Sequence, residues 1–527
     1  MNRFINRGAE LQLIREALTN LLNKDHFART PIIDFYGVEG IGKTSIIEKI
    51  QQECGNYKIR CIKTRADKDF LGDIISQAKQ DKKLPPLPLE NKDLLNQSVE
   101  ITRALLGQES LVMLLDAVDT TNEEQVEQVE TLLGDIIAYG KLFVVLTSRK
   151  SISFVKRRSV AHRLATIQLS LLDRGSCKDY LEHLEPPIEP AVREVIFSWT
   201  RGYPLAMNVM VEAIIEEGLN PRKIDDQKAI LASLFEKVIT GAVLARVKKD
   251  DIPWFLTVLS LLSVPRRCNL LIMQYLIERF EPELKMNNSL AYIVLPNSIS
   301  QGTDVLHWDL AKAGFTVDAP VRNIFLLQLK IENPERYYRI NKFLAEINWK
   351  SADEATGLDR VRYQQEYLYH SANSEDARYL PQILVTTVQQ IIQEAEDTPD
   401  DLVQFQEEFM QDDELKELLG NDVSVVLSMI SQKLAQKMHE EALREKDRTK
   451  RLRYLIGFFY YTAHDPDAKD VSGTLKEQLK HLIDTEDPVF VLQLYEELAH
   501  DDQFKRMLGE DFSPLFDLIR KNVSPEG

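Results

Sequence analysis

Eight residues, Gly37-Val38-Glu39-Gly40-Ile41-Gly42-Lys43-Thr44, fit the pattern G-x-x-x-x-G-K-[ST] at every fixed position. Glycines at this spacing let a backbone curl until its N–H groups converge, which is how a main chain holds phosphate. A helix opening near Thr44 would add its positive end. Lys43 is placed to bridge β- and γ-phosphates, and the Thr44 hydroxyl to ligate Mg²⁺. Gly37, Gly40, Ile41, Gly42, Lys43, Thr44 and Ser45 are therefore the candidate nucleotide-binding residues of the loop. The plainer alternative is a glycine turn with no ligand.

A metal held against phosphates needs a carboxylate at the end of a nearby apolar strand. Leu111 to Leu115 are continuously apolar and Asp116 follows them. Asp116 is the candidate partner of Thr44 for Mg²⁺, directly or through water; the alternative is a helix-capping aspartate. Asp119 stands three residues on. It fits a general base polarising the attacking water, and equally the cap of a helix opening at "TNEEQVEQVE". The stretch "VVLTSRK" sets Thr147, Ser148 and Arg149 at a strand end, where an arginine can meet the charge of a γ-phosphate. Lys43, Asp116, Asp119 and Arg149 form the candidate catalytic set.

These residues need a scaffold. "PIIDFYG" reads as a buried strand, and "KIRCIKTRA", "SLVMLLDAVD", "KLFVVLTSRK" and "LATIQLSLLD" are four further strand candidates, separated by helical stretches. Continuous apolar strands alternating with helices predict a parallel sheet covered on both faces, the α/β class. This segment is expected to run over residues 1–170. The pattern then turns helical through "RGSCKDYLEHL", "EPAVREVIFSWT" and "GYPLAMNVMVEAIIEEG", with Pro204 at a tolerated first-turn position. A helical subdomain is expected over residues 171–245. Helices in "IPWFLTVLSLLSV" and "NLLIMQYLIERF", followed by a β-like "VLHWDLAKAGFTVDAP", predict a winged-helix domain over residues 246–345. Residues 346–527 read as helices only, with irregular helical repeats as an option.

Composition bounds the function. The 527 residues are 44 % hydrophobic and 28 % charged, a globular balance. No run of about 18 apolar residues predicts a membrane span, and the first residues do not read as a secretory signal. Four cysteines without a C-x-x-C pair predict free thiols and a reducing, cytoplasmic setting. The net charge of −17 is uneven: residues 1–350 hold 46 Lys+Arg and 45 Asp+Glu, residues 351–527 hold 19 and 37. An acidic C-terminal third repels phosphate backbones, so nucleic acid is not an expected partner.

The entry segment "FINRGAELQLIREAL", the loop "GVEGIGKTS", "LLDAVD", "VVLTSR" and "RGYPLA", in that order, resemble the STAND class of signalling NTPases. Gly202 to Ala206 match the G-x-P-L-A signature of its NB-ARC (AP-ATPase) branch, and the likeness covers about residues 3–340. It implies ATP/ADP and Mg²⁺ as cofactors and a slow ATPase that is closed with ADP and open with ATP. It also implies homo-oligomerisation in the open state. Ile5 and Arg7 would line the adenine, and Pro204 would pack near the nucleotide. Family members often place a phosphate-contacting histidine at the end of the winged-helix hairpin; here the matching position is Asp318, which alternatively caps the helix opening at "APVRNIF". An unidentified protein or ligand would engage the C-terminal helices. Two other functions fit the same motifs: a ring ATPase acting on nucleic acid or protein, and a scaffold in which ADP is structural. "NLLIMQYLIERF", the candidate recognition helix, holds one arginine and is largely apolar, which suits internal packing and not a major groove.

Overall fold

A computed structural model describes residues 7–23, 31–80, 92–118, 122–286, 288–375, 380–394, 400–465, 471–502 and 505–506. The chain divides into two compact units, Met1–Pro334 and Glu335–Gly527.

In the first unit all five expected strands form: β1 (Ile32–Tyr36), β2 (Arg60–Arg65), β3 (Leu111–Val118), β4 (Leu142–Ser148) and β5 (Leu164–Gln168). They pair in parallel in the order β2-β3-β4-β1-β5. The order places β4 between the strand feeding the glycine loop and the strand that carries Asp116. Helices α1 (Gly8–Leu22), α2 (Lys43–Asn56), α3 (Phe70–Lys79), α4 (Leu94–Leu106), α5 (Glu123–Ile136) and the short α6 (Arg158–Ala161) connect and cover the sheet. α1 and α2 pack on β3 and β4. On the opposite face Leu111, Met113, Leu115, Val144 and Leu146 share a buried cluster with Ile74, Leu105, Leu132 and Leu133 of α3, α4 and α5. Both faces are thus covered, and this is why β3 and β4 read as unbroken apolar runs.

The first unit continues with α7 (Arg174–Glu182), α8 (Pro190–Thr200), α9 (Pro204–Ile215) and α10 (Ile224–Leu234). A π-helical stretch, Phe235–Val243, extends α10. Asp173 caps α7 by accepting the Ser176 N–H at 2.8 Å. Then come α11 (Ile252–Leu262), α12 (Leu270–Phe280) and α13 (Ser289–Thr303), an antiparallel hairpin of β6 (Leu306–Asp309) and β7 (Gly314–Val317), and α14 (Ala319–Glu332). The sequence pattern places "NLLIMQYLIERF" directly before the hairpin. The structure interposes α13, which carries Pro296 inside it; a mid-helix proline removes a donor and masks the helical pattern.

The second unit is helical throughout its described residues: α15 (Pro334–Glu354), α16 (Gly357–Ala372), α17 (Leu380–Glu394), α18 (Asp400–Gln411), α19 (Asp413–Leu419), α20 (Asp422–Arg444), α21 (Arg448–Ala463), α22 (Val471–Thr485) and α23 (Pro488–Leu498). Two apolar clusters stand out among its described residues. One gathers Leu368, Phe405, Phe409 and Ile430, and the other gathers Phe459, Leu479, Leu494 and Tyr495. Among the described residues of the whole chain, no helix is long and apolar enough to cross a membrane.

Candidate nucleotide site

The glycine loop leaves β1 at Tyr36 and enters α2 at Lys43. Gly40 and Gly42 hold φ of +80° and +103°, conformations that side chains resist. Lys43 is folded into the loop: its Nζ donates to the carbonyl oxygens of Gly37 at 2.7 Å and Val38 at 2.8 Å. Burial pulls the Lys43 ammonium down to about 8, although Glu39, 4.0 Å away, holds it up.

The strand-end residues converge on Asp116. The Thr44 hydroxyl donates to Asp116 Oδ2 at 3.0 Å, and the Thr147 hydroxyl to Asp116 Oδ1 at 2.5 Å. The next residue, Ala117, holds φ +59° where the β3–β4 register shifts, and its N–H donates to Thr147 Oγ1 at 2.9 Å. A non-glycine residue in that region costs about 1–2 kcal/mol. The bulge and its bond to Thr147 hold the turn of backbone that follows the carboxylate.

These oxygens fit Mg²⁺. Two cis ligands of an octahedral ion with bonds of about 2.1 Å lie about 3.0 Å apart; Thr44 Oγ1 and Asp116 Oδ2 are separated by that distance. Both are hard oxygen donors, and they sit where α2 begins.

Arg149 reaches the loop as well. Its Nε pairs with Glu39 Oε2 at 3.1 Å as an ion pair. The neighbouring Lys150 points away, pairing with Asp304 at 2.9 Å and donating to Ser300 Oγ at 2.9 Å. Successive residues at the end of β4 therefore bind the glycine loop and the end of α13.

From the other side the stretch Gly202–Ala206 closes on the loop. The Tyr203 hydroxyl donates to the Glu39 carbonyl oxygen, and the Leu205 N–H donates to the Gly40 carbonyl oxygen at 3.2 Å. A Cβ on Gly40 would sit 2.5 Å from Leu205 Cβ. Pro204 opens α9 at its first position, where a missing N–H costs nothing. Arg7 fastens the entry segment: its guanidinium donates to the carbonyl oxygens of Ser170 at 2.7 Å and Ile41 at 3.0 Å.

Asp318 occupies the cap position of α14, but its side chain makes no capping bond. Its Oδ1 instead lies 3.4 Å from His307 Nδ1, and burial pushes its carboxyl up to about 7. Ser45 lies exposed in the first turn of α2. Ile5 and Asp119 lie outside the described residues.

Four residues not named as site candidates from the sequence are brought to the site by the fold: Asp34, Glu39, Tyr203 and Leu205. Asp34 is fully buried in β1, accepts the Ile152 N–H at 3.0 Å, and has Ser148 Oγ 2.8 and 2.9 Å from its two oxygens. A charged residue inside an apolar strand was the available signal. Burial raises the Asp34 carboxyl to about 6, against the bonds from Ile152 and Ser148 and the charge of Lys43. Its folded pKa lies above the unfolded one. The stability it contributes is therefore complete below about pH 4 and is lost as pH rises through 6. Asp34→Asn is blind to this titration. The stability of the wild type relative to Asp34→Asn should fall by about 3 kcal/mol between pH 4 and 7 in urea titrations. A constant difference across that range would refute the buried carboxyl's role.

The glycine loop between an interior parallel strand and a helix, with an acid near the end of another strand of the same sheet, defines a P-loop NTPase fold, here followed by helical segments. No family model matches the chain and no curated protein matches it. Among solved structures it is similar to a Signal Transduction ATPase with Numerous Domains (STAND) protein with a tetratricopeptide repeat sensor from Pyrococcus horikoshii. That match has 14 % identity and a TM-score of 0.31, over 99 % of this chain and 85 % of that one. It is also similar to AMPPCP-bound DnaA from Aquifex aeolicus (16 % identity, TM-score 0.33, 57 % of this chain and 90 % of that one). A third is the Aeropyrum pernix ORC1 protein in complex with DNA (14 % identity, TM-score 0.35, 62 % of this chain and 93 % of that one).

Proposed function

We propose that the chain is a nucleotide-operated switch: it binds ADP or ATP with Mg²⁺ at residues 37–44, hydrolyses ATP slowly, and changes conformation with the nucleotide it holds. The observation that carries the reading is the junction of Thr44, Asp116 and Thr147 at the mouth of the loop. Three distant segments meet there on one carboxylate, in the place where a phosphate-bound cation would need it.

In this reading the loop N–H groups and the start of α2 receive the β-phosphate, and Lys43 leaves the Gly37 and Val38 carbonyls to bridge β- and γ-oxygens. Thr44 and Asp116 would hold Mg²⁺, which neutralises charge on the phosphates when bound. Arg149 answers the γ-phosphate. Because Lys150 grips Asp304 next door, a displacement of Arg149 is transmitted along the backbone to α13 and the β6–β7 hairpin. The helices α11–α13 and that hairpin would form the winged-helix element suggested by the sequence's likeness to the NB-ARC branch. The closed form with ADP, the open form with ATP and assembly of the open form belong to the same proposal. The hydrogen bonds from Tyr203 and Leu205 to the loop support a closed form.

The test is the nucleotide content of the purified protein, released by acid and separated by chromatography, with titration of ADP into stripped protein. Retained ADP or ATP, or affinity in the micromolar range, upholds the reading. Empty protein with no affinity for either removes it.

A further inference from the structure

We propose that Glu39 is an internal anion of the phosphate site: its carboxylate occupies Lys43 and Arg149 until a terminal phosphate displaces it, and so biases the site toward the diphosphate. The inference rests on the reading of residues 37–44 as a nucleotide loop and specifies how that loop discriminates.

The geometry is asymmetric. Glu39 Oε2 lies 3.1 Å from Arg149 Nε and 4.0 Å from Lys43 Nζ, an ion-pair distance to each. One carboxylate oxygen thus serves the two cations that a γ-phosphate would need. The cations are largely buried, with side chains 17 % and 8 % exposed, whereas the Glu39 side chain is 43 % exposed and can swing out. Its backbone cannot follow, because the Tyr203 hydroxyl binds the Glu39 carbonyl oxygen and Leu205 N–H binds the next one. Only the side chain is free to yield.

The electrostatics set the direction. A γ-phosphate entering between Lys43 and Arg149 must either expel this carboxylate into water or sit beside it as a like charge. A diphosphate stops one phosphate short and leaves the Arg149–Glu39 pair intact. Glu39 therefore costs the triphosphate affinity and the diphosphate little. Arg149 held by Glu39 keeps Lys150 on Asp304, so the same pair ties the diphosphate state to the hairpin end of the unit.

The experiment is equilibrium titration of ADP and of a non-hydrolysable ATP analogue, each with Mg²⁺, into wild-type protein and Glu39→Gln, an isosteric change with no charge. Wild type should favour ADP. In Glu39→Gln the ATP analogue should bind about tenfold tighter, while ADP changes by less than about threefold. Glu39→Asp, whose carboxylate is drawn back by one methylene, should fall between the two and serves if Glu39→Gln does not fold. Equal shifts for both nucleotides, or no shift in protein of wild-type melting temperature, would overturn the proposal. Wild type that binds neither nucleotide would instead sink the underlying reading of the loop.

Discussion

Lys43→Ala should weaken ADP and ATP binding by about a hundredfold or more, because removing a charge-assisted hydrogen bond from a buried site costs about 3 kcal/mol. The effect is large for two reasons. Lys43 is the buried cation at the centre of the loop, and its ammonium is already tethered there by the Gly37 and Val38 carbonyls. Alanine leaves both carbonyls facing the phosphates without a cation between them. Those carbonyls can find water in an open loop, so the fold should survive. Calorimetric titration with a far-ultraviolet circular dichroism control separates a loss of binding from a loss of structure. An unchanged affinity in folded Lys43→Ala would exclude residues 37–44 as the nucleotide site.

Gly202→Ala should be the most destabilising single change near the site. Gly202 holds φ +79°, and a Cβ there would lie 1.9 Å from the Leu172 carbonyl oxygen. The same backbone accepts the Leu172 N–H at 3.0 Å, so the two segments cannot part without losing that bond. We expect a loss of at least about 3 kcal/mol, the upper end of single-substitution effects, and a melting temperature lower by roughly 6 °C or more. The control is Gly218→Ala, which shares a positive φ of +71° but has nothing within 4 Å of its Cβ. It should cost only about 1 kcal/mol, the effect of φ alone. Equal losses at the two positions would show that the approach to Leu172 does not matter. Since residues 202–206 brace the loop through Tyr203 and Leu205, Gly202→Ala should also weaken nucleotide binding.

Strands β1, β3 and β4 were legible because each is a short, largely apolar run, and burial on both faces writes that run into the sequence; β2 and β5, at the sheet edges, are partly exposed and carry a weaker pattern. Lys43, Thr44 and Asp116 were legible because their chemistry demands fixed types at fixed places. The partners that make the site were not. Glu39 stands at a position where the loop pattern admits any residue, and its meaning comes from Arg149, over a hundred positions on. Tyr203 and Leu205 bind backbone carbonyls, which leave no mark on the sequence. Asp34 showed only as a charge within an apolar run, and its partners Ser148 and Ile152 lie over a hundred positions on. α13 was missed because Pro296 interrupts a pattern that packing restores. At Asp318 the local rule named a cap, and burial beside His307 took the side chain elsewhere.

Whether the nucleotide's identity reaches the hairpin end of the first unit is the question on which the switch stands. Hydrogen exchange of the full chain, compared between saturating ADP and a non-hydrolysable ATP analogue with Mg²⁺, tests it most directly. Protection should differ at residues 37–44 and 147–152, and also at 202–206 and 304–318, which Lys150 and Tyr203 couple to the loop. Differences confined to residues 37–44 would contradict the switch, leaving a protein that binds nucleotide without answering to it.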